Sequence, residues 1–166
     1  MHSIDSNGGR PSAKATALRL LSRRSHSEAE LYNKLAHRGY DSQTITAVLA
    51  ECRRYGYLND EALARHQIRL RKEKGYGPYR IQLYLINKGF SARLVRELLA
   101  ETYPPQEEIQ NAQKTIMRKY GDRCDRLQNP GTTAKAARFL QNRGYSAETV
   151  ASMLNLMKQN MPFGTP

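Results

Sequence analysis

Nine basic side chains fall between Arg65 and Arg96, with Glu73 as the one acid among them, a local excess of eight positive charges. They are Arg65, Arg69, Arg71, Lys72, Lys74, Arg80, Lys88, Arg93 and Arg96. The whole chain carries 27 Lys and Arg against 15 Asp and Glu, a formal net charge of +12. A surface so charged lowers its self-repulsion by binding a polyanion, and counterion release adds affinity for a nucleic-acid backbone. Gly75-Tyr76-Gly77-Pro78 sets an aromatic ring among these cations. Tyr76 can stack on an exposed base or cover a helix end. Bond-making chemistry is harder to find. A Mg²⁺-dependent nuclease needs clustered carboxylates, whereas Glu28, Glu30, Asp60, Glu61, Glu107 and Glu108 are scattered and read as partners of helix dipoles. His26, His37 and His66 have no carboxylate or Cys partner at a usable spacing, and Cys124 has no neighbouring ligand. No phosphate-cradling loop ending in Lys-Ser/Thr occurs, and no G-x-S-x-G elbow. The residues predict a binding protein, not an enzyme, with no catalytic residue, metal or cofactor.

These side chains must be positioned by elements, and the elements repeat. Leu35-Ala-His-Arg-Gly-Tyr40, Leu85-Ile-Asn-Lys-Gly-Phe90 and Leu140-Gln-Asn-Arg-Gly-Tyr145 share the pattern Leu-x-x-basic-Gly-aromatic. A period of about 50 residues marks one supersecondary unit used three times. Each glycine suits the left-handed residue that closes a helix, and the aromatic after it folds back on the leucine of the last turn. Arg38, Lys88 and Arg143 place cations at the negative helix end. Asp41, Ser91 and Ser146 then read as N-caps of a following helix. That helix shows one apolar stripe per repeat: Ile45/Val48/Leu49/Cys52, Val95/Leu98/Leu99/Thr102 and Val150/Met153/Leu154/Met157. The helix before the corner carries Leu31/Leu35, Ile81/Tyr84/Leu85 and Ala136/Phe139/Leu140. A third helix precedes each pair, over residues 12–24, 60–74 and 106–120. Ser27-Glu-Ala-Glu30 fits a capping box, and Pro78 fits a first helical turn.

The expected fold is all-α: three tandem three-helix repeats forming an elongated, curved, right-angled array of helix-turn-helix-like units. The expected divisions are a disordered tail (1–11), repeat 1 (12–58), a most basic repeat 2 (59–103), repeat 3 (104–160) and a tail (161–166). The Gln128-Asn-Pro-Gly-Thr-Thr133 stretch reads as a longer connection than its counterparts. Two cysteines are too few for a disulfide framework, and Cys52 shares a core register with Thr102 and Met157. With no secretory segment and no membrane-spanning run, the expectation is a cytoplasmic protein and a monomer.

Arg24-Ser-His-Ser-Glu-Ala-Glu-Leu31, Leu35…Arg38-Gly39, Gly56-Tyr-Leu-Asn-Asp60, Arg71 and Lys74-Gly-Tyr-Gly-Pro78…Arg80-Ile81…Leu85…Lys88-Gly89 together resemble the RecX regulatory proteins of bacteria. The resemblance spans residues 15–157. It implies an all-helical protein of three tandem three-helix repeats that binds the RecA filament on single-stranded DNA. It further implies lowered RecA ATPase, strand exchange and coprotease activity, in DNA repair, homologous recombination and the SOS response. Asn59-Asp60 stands where the family usually has two acids, and Tyr84 where it commonly has a glutamate. Repeat 3 is the least family-like. The expected surface for RecA filament or nucleic acid is the nine cations above with Tyr76, and Arg69, Arg71, Lys72, Lys74 and Arg80 are its centre. The alternative is a stand-alone DNA-binding protein, of single-stranded or duplex DNA, with Arg93 and Arg96 near the start of a helix-turn-helix second helix.

Overall fold

Local sequence rules account for every helix boundary that matters to function. A computed structural model of the chain describes residues 11–121 and 129–158. Among them are nine helices and no strand: α1 (Ala13–Leu21), α2 (Glu28–Ala36), α3 (Ser42–Arg54), α4 (Asp60–Glu73), α5 (Pro78–Asn87), α6 (Ala92–Thr102), α7 (Pro105–Tyr120), α8 (Pro130–Arg143) and α9 (Ala147–Lys158). The corner glycines adopt φ of 77° at Gly39, 85° at Gly89 and 82° at Gly144, a region closed to most side chains. After each corner the next helix is capped by a side chain, Asp41 to the Thr44 amide, Ser91 to that of Leu94 and Ser146 to that of Thr149. Asn59 caps α4 by accepting from the Ala62 amide, so the family's acid is not needed there.

The helices pack in threes. Leu31, Leu35, Ile45 and Leu49 centre the first core, Ile68, Ile81, Leu85 and Val95 the second, and Ile116, Leu140, Val150 and Met153 the third. Each is a small core, of the size that gains from its neighbours. One arrangement recurs at both contacts between units: the corner of a later repeat docks on the start of the preceding repeat's middle helix. The Lys88 carbonyl, at the end of α5, accepts from Ser27 Oγ at the start of α2 (2.6 Å). One repeat on, the Arg143 carbonyl accepts from the Gly77 amide (2.9 Å) and the Gly144 carbonyl from the Tyr79 amide (3.1 Å), at the start of α5. A buried network reinforces the second joint. Asn111 Nδ2 donates to Tyr103 OH (2.5 Å), Tyr145 OH (3.1 Å) and the Lys72 carbonyl (3.1 Å). Burial pushes both tyrosine hydroxyls up in pKa.

Several expectations are corrected. Asn129 to Thr133 form no connection: Asn129 accepts from the Gly131 amide, and α8 begins at Pro130. Proline suits that position because its missing N–H would have had no helical partner. The capping box is half formed. Ser27 accepts from the Glu30 amide, but Glu30 turns to Arg24 and His26 rather than back to Ser27. Arg38 caps its own helix through the Lys34 carbonyl (2.7 Å), whereas Arg143 reaches across the joint to the Lys74 carbonyl (2.7 Å). The expected tails, save Pro11, and Cys124 lie outside the described residues.

Candidate functional site

The cations between Arg65 and Arg96 are not one even surface. Three are engaged by carboxylates that enter from outside that stretch. Arg65 Nη1 lies 2.8 Å from Glu101 and Nη2 lies 3.0 Å from Glu61, and the two carboxylates raise the guanidinium pKa. Arg93 Nε pairs with Glu97 at 2.8 Å. Lys72 is built into the joint between repeats 2 and 3. Its ammonium meets Glu107 and the Thr102 carbonyl (3.2 Å), and lies 4.8 Å from the Tyr103 ring centroid. Burial, with Lys114 nearby, lowers its pKa. The local charge excess is therefore smaller than the residue count implies, and Lys72 is not an open contact point.

The structure does bring Arg71, Tyr76 and Arg80 together. With Leu83, Tyr84 and Asn87 they line an open cleft of about 350 Å³. Proximity follows from the fold, since the ends of α4 and the first turns of α5 are joined by the short Gly75–Gly77 link. The Arg71 guanidinium lies over the Tyr84 ring, 3.1 Å from its centroid. Its Nε is buried without a hydrogen-bond partner, so the terminal nitrogens carry the group's remaining donor capacity. A tyrosine here offers a π face where a glutamate would offer a neutralising charge. Tyr76 is half-buried against the second core, with the Arg143 guanidinium 5.0 Å from its ring centroid. It covers a helix end and presents part of its ring to the cleft, rather than standing free as a stacking platform.

The other cations lie outside this cleft. Lys88 borders a hollow of about 520 Å³ shared with Lys34, His37 and Arg38 of repeat 1. Arg69, hydrogen-bonded to His66 (3.1 Å), borders another of about 490 Å³ beside Arg65 and Lys72. Lys74 and Arg96 are exposed, at the end of α4 and on α6. Arg69, Arg71, Lys74, Arg80, Lys88 and Arg96 have no carboxylate partner among the described residues. Sequence reasoning passed over Lys34, Leu83 and Asn87. The repeat spacing is the signal that could have found Lys34, because it sets the end of α2 beside the end of α5. No group of three His, Cys, Asp or Glu side chains able to hold a metal gathers among the described residues.

Two family models match this arrangement unit by unit. One described as RecX, first three-helix domain, matches residues 13–52, and one described as RecX, second three-helix domain, matches residues 59–99. The regulatory protein RecX of Vibrio vulnificus (strain CMCP6) is 39% identical over 144 residues, covering 87% of this chain and 92% of its own. The chain belongs to the RecX family. The RecX of Legionella pneumophila (strain Corby) is 31% identical over 147 residues, covering 87% of this chain and 94% of its own. The crystal structure of RecX from Lactobacillus salivarius superposes with a TM-score of 0.78 at 19% identity, covering 89% of this chain and 95% of that one. At that identity the likeness speaks for the fold, and it extends over all three units. RecX proteins carry the name of regulatory proteins, and no described helix is long and apolar enough to cross a membrane.

Proposed function

We propose that this RecX chain is a non-enzymatic regulator that binds RecA filaments on single-stranded DNA and lowers their ATPase, strand-exchange and coprotease activity. The observation that carries this reading is the set of cations on the middle repeat without carboxylate partners: Arg71 and Arg80 in a cleft with aromatic walls, Arg69 beside a second hollow, and Lys74 at the exposed end of α4. Guanidinium and ammonium groups without internal carboxylates are available to phosphates or to acidic protein surface. Three units joined in series offer such contacts over a length that a single small domain lacks. The protein acts in the cytoplasm as a monomer in this reading. Because the contacts are ionic, inhibition weakens steeply as salt rises. The stand-alone duplex reading would rest on Arg93, which shares an exposed ion pair with Glu97, and on Arg96, which has no carboxylate partner among the described residues.

The test is RecA's single-stranded-DNA-dependent ATPase titrated with this protein, with binding to free DNA measured in parallel. Inhibition at well under one protein per RecA monomer supports filament growth or ends as the target. Loss only when the strand is saturated means competition for DNA. The variant Arg69→Glu/Lys74→Glu/Arg80→Glu should abolish inhibition while keeping the helical content. Lys72 is left unaltered because it belongs to a joint; Arg80 also donates to the Asn142 carbonyl across that joint (3.4 Å), so the thermal midpoint of the triple variant is measured beside its helical content. Full inhibition by the triple variant would sink the reading.

A further inference from the structure

Helix α5 is apolar on two opposite sides. Ile81 and Leu85 point inward and are wholly buried. On the outer side Tyr79, Leu83 and Ile86 are 63%, 44% and 37% exposed. Their spacing of i, i+4 and i+7 keeps them within about 60° of the helix circumference. The repeat supplies its own control for whether the fold requires this. Counting back from the corner glycines, the same three positions hold Ala29, Asn33 and Ala36 in α2, and Ala134, Arg138 and Gln141 in α8. Small or polar residues therefore serve the architecture equally well, and the outer stripe belongs to the middle unit alone. Contiguous exposed apolar side chains on one face mark an interaction surface more often than scattered ones do.

The surroundings define what would cover it. Helix α5 contains no acid. Leu83 also lines the cleft of Arg71 and Arg80, and Ile86 lines the hollow of Lys34, Arg38 and Lys88, where the one acid, Glu30, is already engaged by Arg24. An apolar stripe thus runs between two cationic hollows. A phosphodiester backbone rewards the cations but offers nothing to aliphatic Leu83 and Ile86, which also lack a flat face on which a base could stack. A protein surface with apolar side chains flanked by carboxylates satisfies both features. We propose that the outer face of α5 is a protein-docking stripe, in which Tyr79, Leu83 and Ile86 receive apolar side chains of an acidic partner surface. The assignment rests on the filament reading above, and within it the stripe meets the recombinase subunits and not the DNA strand.

The test is Leu83→Asn/Ile86→Ala, which installs the residues that α2 carries at the same register. Both positions are exposed, so melting temperature and helical content should match those of the unaltered protein. Affinity for RecA filaments assembled on single-stranded DNA should fall at least about tenfold, equivalent to about 1.4 kcal/mol, while affinity for free single-stranded DNA stays within about twofold. Unchanged filament affinity overturns the stripe but leaves the filament reading in place. A parallel fall in both affinities assigns the stripe to nucleic acid and also overturns it. If the unaltered protein ignores RecA filaments, the filament reading falls and the stripe assignment falls with it.

Discussion

Replacing Gly77 with alanine should loosen repeat 3 from repeat 2 without harming either unit. Gly77 has φ −78° and ψ 165°, a conformation alanine adopts freely, so no backbone strain arises. The obstacle is across the joint. A Cβ at Gly77 would lie 2.3 Å from the Gly144 carbonyl oxygen and 2.4 Å from the Tyr145 nitrogen. Both are backbone atoms and cannot rotate aside. Carbon–oxygen contacts settle near 3.3–3.6 Å, so the corner must retreat by about 1 Å. That carries the Gly77–Arg143 and Tyr79–Gly144 hydrogen bonds beyond useful length. At about 0.5–1.5 kcal/mol each, the pair accounts for roughly 1–3 kcal/mol. The stiffer unfolded chain returns about 0.4–1 kcal/mol, which alanine's poorer N-capping offsets. Urea unfolding followed by circular dichroism should show the loss, and native-state hydrogen exchange should place it in α8 and α9. Gly56→Ala is the matched control, with φ 74° and open space around the added carbon, so it meets only backbone strain of about 1–2 kcal/mol. A Gly77→Ala protein with the original midpoint and exchange pattern would refute the close approach. Loss of protection spread evenly through α1–α9 would refute its confinement to one joint.

Asn111→Ala should cost about 2–3 kcal/mol in thermal unfolding, because it strips a shared donor from two buried tyrosine hydroxyls and the Lys72 carbonyl; a cost under about 0.5 kcal/mol would show the network to be idle. Acid should weaken repeat 1 through Glu30. Burial raises its pKa, but hydrogen bonding from Arg24 and the nearness of His26 outweigh that and hold the carboxyl at about 2. A folded value below the unfolded one, which is about 4.3, means the stabilisation is complete above that pH and lost as pH falls toward 2. The contribution is on the order of 1 kcal/mol after solvent screening. Glu30→Gln should flatten the acid limb of a urea-midpoint profile, and an unaltered slope would remove Glu30 from the account.

The parts of the fold legible in the sequence are those decided by near neighbours. A glycine followed by an aromatic and a capping residue states its geometry within six positions, and Gly39, Gly89 and Gly144 all close helices as expected. The same locality explains the misreading of Pro130–Thr133, where turn-forming residues are in fact a capped first turn. The site was less legible because its charge balance is settled at a distance. Glu101 reaches Arg65 only once α6 has packed on α4 within repeat 2, and Glu107 reaches Lys72 only once repeat 3 has docked on repeat 2. Tyr84 shares the spacing of the inward stripe with Ile81 and Leu85, yet it is half-exposed and serves as the surface on which Arg71 lies. Leu83 and Ile86 were hidden among the apolar letters of a helix that needs only Ile81 and Leu85 for its core.

The corner-on-start rule has an electrical meaning. At both internal joints a carbonyl at the negative end of one helix meets a donor at the positive end of another, so α8, α5 and α2 are wired in series. The half-charges at those junctions neutralise each other. What remains outside those junctions is the positive start of α8 and the negative end of α2, an order that runs against the direction of the chain. Lys34, His37 and Arg38 gather at that negative end. The array is therefore directional as well as repetitive: its two ends present opposite fields to whatever lies along it, and a partner that has a polarity of its own can distinguish one orientation from the other.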